Sequence, residues 1–525
     1  MKFYFYLLIS ASCLAVPFTN YAQQDFFQLD QIQEIKIETE AEKWRYLLDS
    51  LRVNGDGSLE ATVEINGKTY EKAQFRYQDF KAFTPSKKVN PLHLELGEKH
   101  GDHSTVSLSH ALRDPSLLRE VMAYQIMGSY LPAPRANLAK VYVNEEFYAL
   151  LVNIEPMDAA YMEKYYGDSD GTLFKSQPQL GVKATSGCKQ TAFASLQYDQ
   201  SLVCYQDQFE GTGNWKALQQ MSKNLNGDLK ALARTFGIDE TLWMLAINNV
   251  LVNLNSYTGR GSQNYGLYRN AEGQFYPIFG EMNLAFGSYK NTGEGSDLKV
   301  EELYKLDPLL HAYSDQKPLI SKLLANDHYR KIYISHMRTI LEDYFWNEKF
   351  ESQVMDLHQK IEPILVENGQ ATERFKNSLI STTGTRSKIP GLVAFMRNRA
   401  RFLKKHPTMT VIPSNLPSIE LAKREQFSSK KIEAFEFQVE VDRFPKDVVL
   451  YYRYEKNGDL KKVNMTDDGK QGDKTANDGI FGTKVIPKGD TIEYYIFVEN
   501  SGAASFEPSN YPFHLRKASL KELNK

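Results

Sequence analysis

Cysteine is nearly absent: the 525 residues hold three. One of them, Cys13, falls in the N-terminal apolar stretch, which leaves Cys188 and Cys204 for the rest of the chain. A disulfide between them would close a loop worth ~3 kcal/mol in the chain-entropy picture. Two buried or free thiols are the other reading, and the residues do not choose between them. An excess of charge of one sign is missing as well, with 63 basic side chains against 65 acidic ones. Without a basic field, nucleic acid is not an expected partner. After the N-terminus no run reaches the ~18 apolar residues that a membrane span needs, so no transmembrane anchor is expected in the mature chain. The His-Glu-x-x-His pair of zinc hydrolases is also absent.

Apolar and charged content, 42% and 24%, are those of an ordinary folded protein. The length calls for more than one domain, since single cores run to ~100–250 residues. Lys2 followed by a largely apolar stretch to Val16, with Ala22 as the last residue before cleavage, reads as a signal peptide over 1–22. Secretion, or placement in the periplasm or cell envelope, follows. Lipidation at Cys13 is disfavoured because Ser10-Ala11-Ser12 lacks the usual leucine three residues ahead.

Residues 39–51 have helical spacing, with Trp44, Leu47, Leu48 and Leu51 on one face and a Thr39/Glu42 capping box. Strands over 60–65 and 68–77 flank Asn66-Gly67, the strongest short hairpin signal, and 92–96 returns as a strand. Asp114 and Pro115 suit the cap and first position of a helix. A stiff 131–135 connection leads to a hairpin over 139–143 and 147–154, and 171–175 reads as a strand. Helices are expected over 215–225 and 229–236, and in at least four segments between 317 and 405, where Arg397, Arg399 and Arg401 read as a solvated basic face.

The most informative stretch is 245–287. An apolar helix (241–254) enters a polar loop, then a strand (264–269), a Glu272-Gly273 turn, and a second strand (274–279) ending at Glu281 and Asn283. A Gly-, Glu- and Asp-rich segment, 292–307, is expected to loop over the adjoining cleft. Beyond a Pro-containing linker, 408–424, residues 425–517 are strand-rich with regular turns, as in a small β-sandwich. Asp467, Asp468, Asp473 and Asp478 lie there within twelve residues and offer oxygens to Ca²⁺, off the EF-hand register. Plain acidic turns are the competing reading.

Asn-Leu-Asn-Ser-Tyr-Thr-Gly (253–259), Gln-Asn-Tyr-Gly-Leu-Tyr (263–268) and Glu-Met-Asn-Leu-Ala-Phe-Gly (281–287) together resemble the core of the CotH (spore coat protein H) kinase-like family. Members usually show Asn-Leu-Asp-Ser-Tyr, Gln-Asn-Tyr-Tyr-Leu-Tyr and Trp-Asp-Leu-Asn. The resemblance runs over about 30–407 and implies an α+β chain: a divergent, two-lobed protein-kinase-like domain, followed here by an Ig-like β-sandwich. It implies ATP- and Mg²⁺-dependent phosphorylation of a protein or cell-envelope acceptor. By analogy Lys87 or Lys88 would pair with nucleotide phosphates and with Glu120, while Asn264, Glu281 and Asn283 would hold the metal. Asn255 and Glu281 stand where the family carries aspartates. Glu145, Ala149 and Leu151 replace its usual Gly, Gly and Tyr. A neutral Asn255 takes no proton usefully, and a general base contributes ~10²–10⁴ in rate. Transfer is therefore expected to be weak or absent with nucleotide binding retained, the alternative being a non-catalytic pseudokinase scaffold or adhesion protein.

Overall fold

The computed structural model describes residues 25–519 apart from 79–82, 112, 180, 190–192, 383–387, 417–418, 426–431, 456–459 and 490. The expected leader, 1–22, lies outside the described residues.

Seven strands close into a barrel: β1 (Ile32–Glu38), β2 (Leu59–Ile65), β3 (Lys68–Tyr77), β4 (Leu92–His100), β5 (His103–Ser109), β6 (Ala136–Val143) and β7 (Glu146–Ile154). The order is β1-β2-β3-β4-β5-β7-β6, and a parallel β1–β6 pair completes the ring. The alternation that marks each strand sends Ile35, Ile37, Val63, Ile65, Phe75, Leu92, Leu94 and Val141 into one core. Asn66 and Gly67 take φ of 51° and 87°, as a two-residue hairpin turn requires. Glu145, in the family's glycine position, still adopts φ 64° in the β6–β7 turn.

Two helix starts differ from the sequence reading. The first helix is Trp44–Asn54, and Thr39 does not cap it. The Thr39 hydroxyl donates to the Glu60 carbonyl instead, which ties the chain to β2. The second helix is Arg119–Met127 and does not begin at Pro115, because Leu117 at φ 61° interrupts the helical run. Asp114 acts as an anchor rather than a cap at that point. Its carboxylate accepts from the Ser116 and Arg119 amides and pairs with the Arg119 guanidinium at 2.6 Å.

A second sheet has the order β11-β10-β8-β9, from β8 (Thr172–Ser176), β9 (Phe209–Glu210), β10 (Tyr265–Arg269) and β11 (Phe275–Phe279). It packs on the apolar helix Ile238–Val250, buried almost all round as its composition dictates. Helices Pro318–Ala325, Asp327–Ile340, Lys349–Glu367 and Leu392–Lys405 complete this body, as the spacing predicts. Arg399 corrects one expectation. It is fully buried, and its guanidinium donates to Asn249 and to the Tyr304 and Leu306 carbonyls. Segment 292–307 contains the helix Val300–Tyr304 and docks through Glu294 on His311, while Asn291, just before it, accepts from the Arg260 amide. It contributes no lining to the cleft described below. Cys188 and Cys204 are joined in a disulfide, with Cα atoms 5.6 Å apart.

The C-terminal region holds two sheets. One has the order β12-β13-β16, from β12 (Ile419–Glu425), β13 (Ile432–Glu440) and β16 (Ile480–Val485). The other runs β15-β14-β17-β18, from β14 (Asp447–Arg453), β15 (Lys461–Asn464), β17 (Thr491–Glu499) and β18 (Ala504–Glu507), with β19 (Arg516–Ser519) also pairing β17. Strand β12 starts inside the stretch read as a linker. Phe435, Phe437, Leu450, Ile496 and Val498 fill the core between the sheets. Tyr495 and Phe497, on the other face of β17, join the core of the helical body. Buried Lys331 pairs with Glu499 at 2.8 Å, and the Trp243 indole donates to the Tyr511 carbonyl. The β-rich region is thus docked on the helices through apolar and ionic contacts.

Candidate functional site

Between the barrel and the second sheet lies a cleft of about 460 Å³. Ser107, Ser109, Ile154 and Glu155 line it from the barrel, Glu120 and Tyr124 from the helix Arg119–Met127, and Lys175, Asn264, Glu281 and Asn283 from the opposite wall.

Asn264 organises that wall. It sits at φ 56°, a left-handed conformation that asparagine tolerates better than most residues. Its amide nitrogen donates to the carbonyls of Asn255 (2.8 Å) and Glu281 (2.6 Å), and its oxygen accepts from the Glu281 amide (2.9 Å). One side chain thereby fixes three backbone groups where β11 ends. Gly280 is required beside it, because a Cβ there would overlap the Asn264 side-chain oxygen. The Glu281 side chain is exposed at the rim, and Asn283 donates to its carboxylate at 3.3 Å.

Glu120 lies deeper, at 2% exposure. Among the described residues neither of its carboxylate oxygens has a hydrogen-bond partner, and the Asn283 side-chain oxygen is similarly buried without one. Burial, then the nearby Glu281 charge, pushes the Glu120 carboxyl up to about 8. The Ser109 hydroxyl and Met282 amide temper that rise without reaching hydrogen-bond geometry.

The structure therefore brings Glu120, Asn264, Glu281 and Asn283 together. It does not bring in the other expected groups. Lys87 and Lys88 are exposed in the turn before β4, outside the cleft, and among the described residues neither pairs with Glu120. Pro91, just before β4, does line the cleft, but the two lysines do not. The lysine in the cleft is Lys175 on β8. The strand around it was legible, but its neighbours across the cleft were not. Asn255 is buried and outside the lining. Its side-chain oxygen accepts from Gln263 at 2.8 Å, and its carbonyl serves Asn264. In the C-terminal region, carboxylate oxygens of Asp467, Asp473 and Asp478 lie within 4.8 Å of one another. Asp468 stays out of that group and accepts from Thr466 and Lys470. Asp467 and Asp473 also accept from amides of their own loop, as in an acidic turn.

A charged cluster braces the barrel side. Buried Glu155 accepts from Arg135 at 2.7 Å and from His103 at 3.4 Å, and His103 also meets Asp158 at 2.9 Å. Burial alone would raise the Glu155 carboxyl, but His103 and Arg135 overcome it and hold it at about 2. Because this folded value is depressed below 4.5, the stabilisation is present above about pH 4.5 and is lost as pH falls towards 2. Unfolding measured in urea at several pH values should show wild type and Glu155→Gln converging across that window. A difference independent of pH there would contradict the assignment.

Residues 66–403, more than half of the chain, match the family model described as CotH kinase protein. No curated protein gives a significant match to the chain.

Proposed function

The chain belongs to the CotH kinase family, and from that premise we propose that the cleft binds ATP with Mg²⁺ and supports slow phosphoryl transfer to a protein or cell-envelope acceptor outside the cytoplasm. In this reading the barrel and the helical body are the two lobes of a kinase-like domain. Phosphoryl transfer asks for a phosphate clamp, a held cation and an oriented nucleophile, with little covalent work by the protein. The observation that carries the reading is the meeting of Lys175, Glu120, Asn264, Glu281 and Asn283 in one cleft within the family-matched span. Lys175 takes the phosphate role that the sequence pointed to in Lys87 and Lys88. The orphaned oxygens of Glu120 and Asn283 fit a divalent cation, because each is an acceptor without a donor. The cation, when bound, neutralises phosphate charge; Lys175 orients the phosphates, and Asn264 keeps the Glu281 backbone in place.

A pseudokinase scaffold is the second reading, and Asn255 favours it. The residue carries no carboxylate, and its side chain is engaged by Gln263 away from the cleft. Two measurements separate the readings. ATP with Mg²⁺ should raise the melting temperature of the wild type, and labelled ATP should give slow transfer that Glu281→Ala abolishes. Transfer no greater than that of Glu281→Ala overturns the kinase reading, and a melting temperature that does not move with ATP and Mg²⁺ is the result the scaffold reading expects.

A further inference from the structure

We infer that His110 takes the proton of the acceptor hydroxyl, in place of the carboxylate that Asn255 lacks. The inference deepens the phosphoryl-transfer reading of the same cleft and rests on it.

With Asn255 engaged by Gln263 outside the lining, the acceptor's proton needs another destination. The other titratable groups that face the cleft already have roles or partners. Glu155 is held by Arg135 and His103. The Glu120 carboxyl, pushed up to about 8, is mostly protonated at neutral pH, and with a cation bound it is a ligand. Lys175 serves the phosphates, and the Tyr124 hydroxyl donates to the Gly280 carbonyl. Glu281 accepts from the Asn283 amide at the rim. Glu210, on β9 opposite Lys175, accepts from Gln177 at 3.2 Å. His110 differs from all of these. It lines the cleft half-buried, and among the described residues its ring makes no hydrogen bond or ion pair. Burial lowers it to about 4, so the imidazole is neutral at physiological pH and has a lone pair to offer.

The fold fixes where that ring sits. Ser109, the last residue of β5, pairs with Val152 of β7. On the other side, Ala111 is buried at φ 44°, a left-handed conformation that alanine adopts only under constraint. Its carbonyl accepts from the Asp114 amide at 2.8 Å, next to the buried Asp114–Arg119 pair. His110 is thus set between a strand end and a buried ion pair. Strained backbone of this kind gathers at functional sites, and rigid elements hold a side chain to the precision that proton transfer needs.

The step balances with no further reactant. A ring nitrogen of His110 takes the hydroxyl proton as the acceptor oxygen bonds to the γ-phosphorus. The bond from that phosphorus to the β,γ-bridging oxygen breaks, and ADP leaves with the electron pair. The imidazolium then gives its proton to water. A base this weak suits a slow reaction, because proton-transfer efficiency falls as the base's pKa drops below the working pH.

The test uses the full chain, labelled ATP with Mg²⁺, and dephosphorylated casein as the hydroxyl probe, with transfer to casein and to the chain itself both counted. His110→Gln should lower kcat by about 10²–10⁴, the usual contribution of a general base. Its ATP·Mg²⁺-induced rise in melting temperature should match that of wild type, since His110 holds no part of the nucleotide. His110→Ala opens a space of imidazole size. Imidazole in the buffer should therefore restore part of the transfer in His110→Ala and none in His110→Gln, where the glutamine fills the space. A histidine that only supports its loop predicts no rescue in either variant, and that result overturns the inference. Transfer unchanged in His110→Gln also overturns it and leaves the kinase reading standing; if Glu210→Gln loses transfer instead, that carboxylate is the base. A wild type that binds ATP and never transfers phosphate overturns the kinase reading and the role of His110 together.

Discussion

Arg119→Met should lower the free energy of unfolding by about 3–5 kcal/mol, the range found when one member of a buried ion pair is removed. Arg119 has no exposed surface, and Asp114 is 3% exposed. The guanidinium donates to Asp114 at 2.6 Å and to the Pro390 carbonyl, which joins the loop after β5 to the residues just before the helix Leu392–Lys405. Methionine matches the stem but leaves a buried carboxylate without its counter-charge and a carbonyl without its donor. The Asp114 carboxylate would keep its bonds from the Ser116 and Arg119 amides, which places the effect towards the lower part of the range. Urea denaturation of Arg119→Met, Asp114→Asn and the double variant gives the coupling directly. The double variant should recover part of the loss, since it no longer buries an unpaired charge. A loss below about 1 kcal/mol for Arg119→Met would show that the pair is relaxed by solvent, contrary to its burial. The pair also fixes where the helix begins, and therefore where Glu120, one residue on, is aimed.

Local signals carried the strands and most of the helices. The Asn66-Gly67 turn, the alternation in β2, β3, β4, β6 and β7 and the spacing within 317–405 each need only neighbouring residues to be read, whereas β1 and β5 went unread. The misreadings came from information that is not local. Lys87 and Lys88 precede a strand, as a phosphate-binding lysine was expected to, but they lie exposed in the turn while Pro91, nearer the strand, reaches the cleft, a distinction the local sequence does not carry. Lys175 was visible as a strand residue, and nothing near it in sequence names Glu120 or Glu281 as its neighbours. The helix start at Pro115 was a sound reading of two residues, overturned by Leu117 and by the Asp114–Arg119 pair. Arg399 was a failure of geometry that the sequence did allow. Residues two apart on a helix lie ~200° round the axis, so Arg397 and Arg401 share a face while Arg399 must oppose them. The docking of the β-rich region also left a trace. Ile492–Val498 is apolar at nearly every position, the mark of a strand covered on both faces rather than one. The disulfide left none, because a separation of 16 residues fits paired and unpaired thiols alike.

The second large effect is expected at Gly259, in the segment that holds Asn255 and leads to Asn264. Its φ of −93° is open to any residue, so the need for glycine is one of space and not of backbone freedom. A Cβ there would overlap the Leu254 carbonyl oxygen, lie 2.6 Å from the Leu254 carbonyl carbon and 3.1 Å from the Asn291 oxygen. All three are backbone atoms, so no rotamer change relieves the clash. The turn is also gripped from outside. The Gly259 amide donates to the Ser256 carbonyl, and the buried Lys317 ammonium donates to the carbonyls of Tyr257 (2.9 Å) and Gly259 (2.5 Å) and to the Ser262 hydroxyl (2.8 Å). Gly259→Ala must then either force the turn away from Lys317 or drive Leu254 back towards Asn255. We expect a loss of about 3 kcal/mol or more, at the upper end for overpacking. The Asn255 carbonyl is one of the three backbone groups tied by Asn264, so the same displacement loosens the wall that carries Glu281. Shifts of ~1 Å at a reacting centre cost on the order of 10² in rate. The ATP·Mg²⁺-induced rise in melting temperature should accordingly shrink in Gly259→Ala beyond what its lower stability explains. Gly213→Ala is the control, because its Cβ meets nothing within 4 Å, and its stability should stay within about 0.5 kcal/mol of wild type. Equal stability and equal ATP response in the two variants would show that the Leu254–Gly259 crossing yields to a side chain, and with it that the asparagine-tied wall is looser than its hydrogen bonds imply.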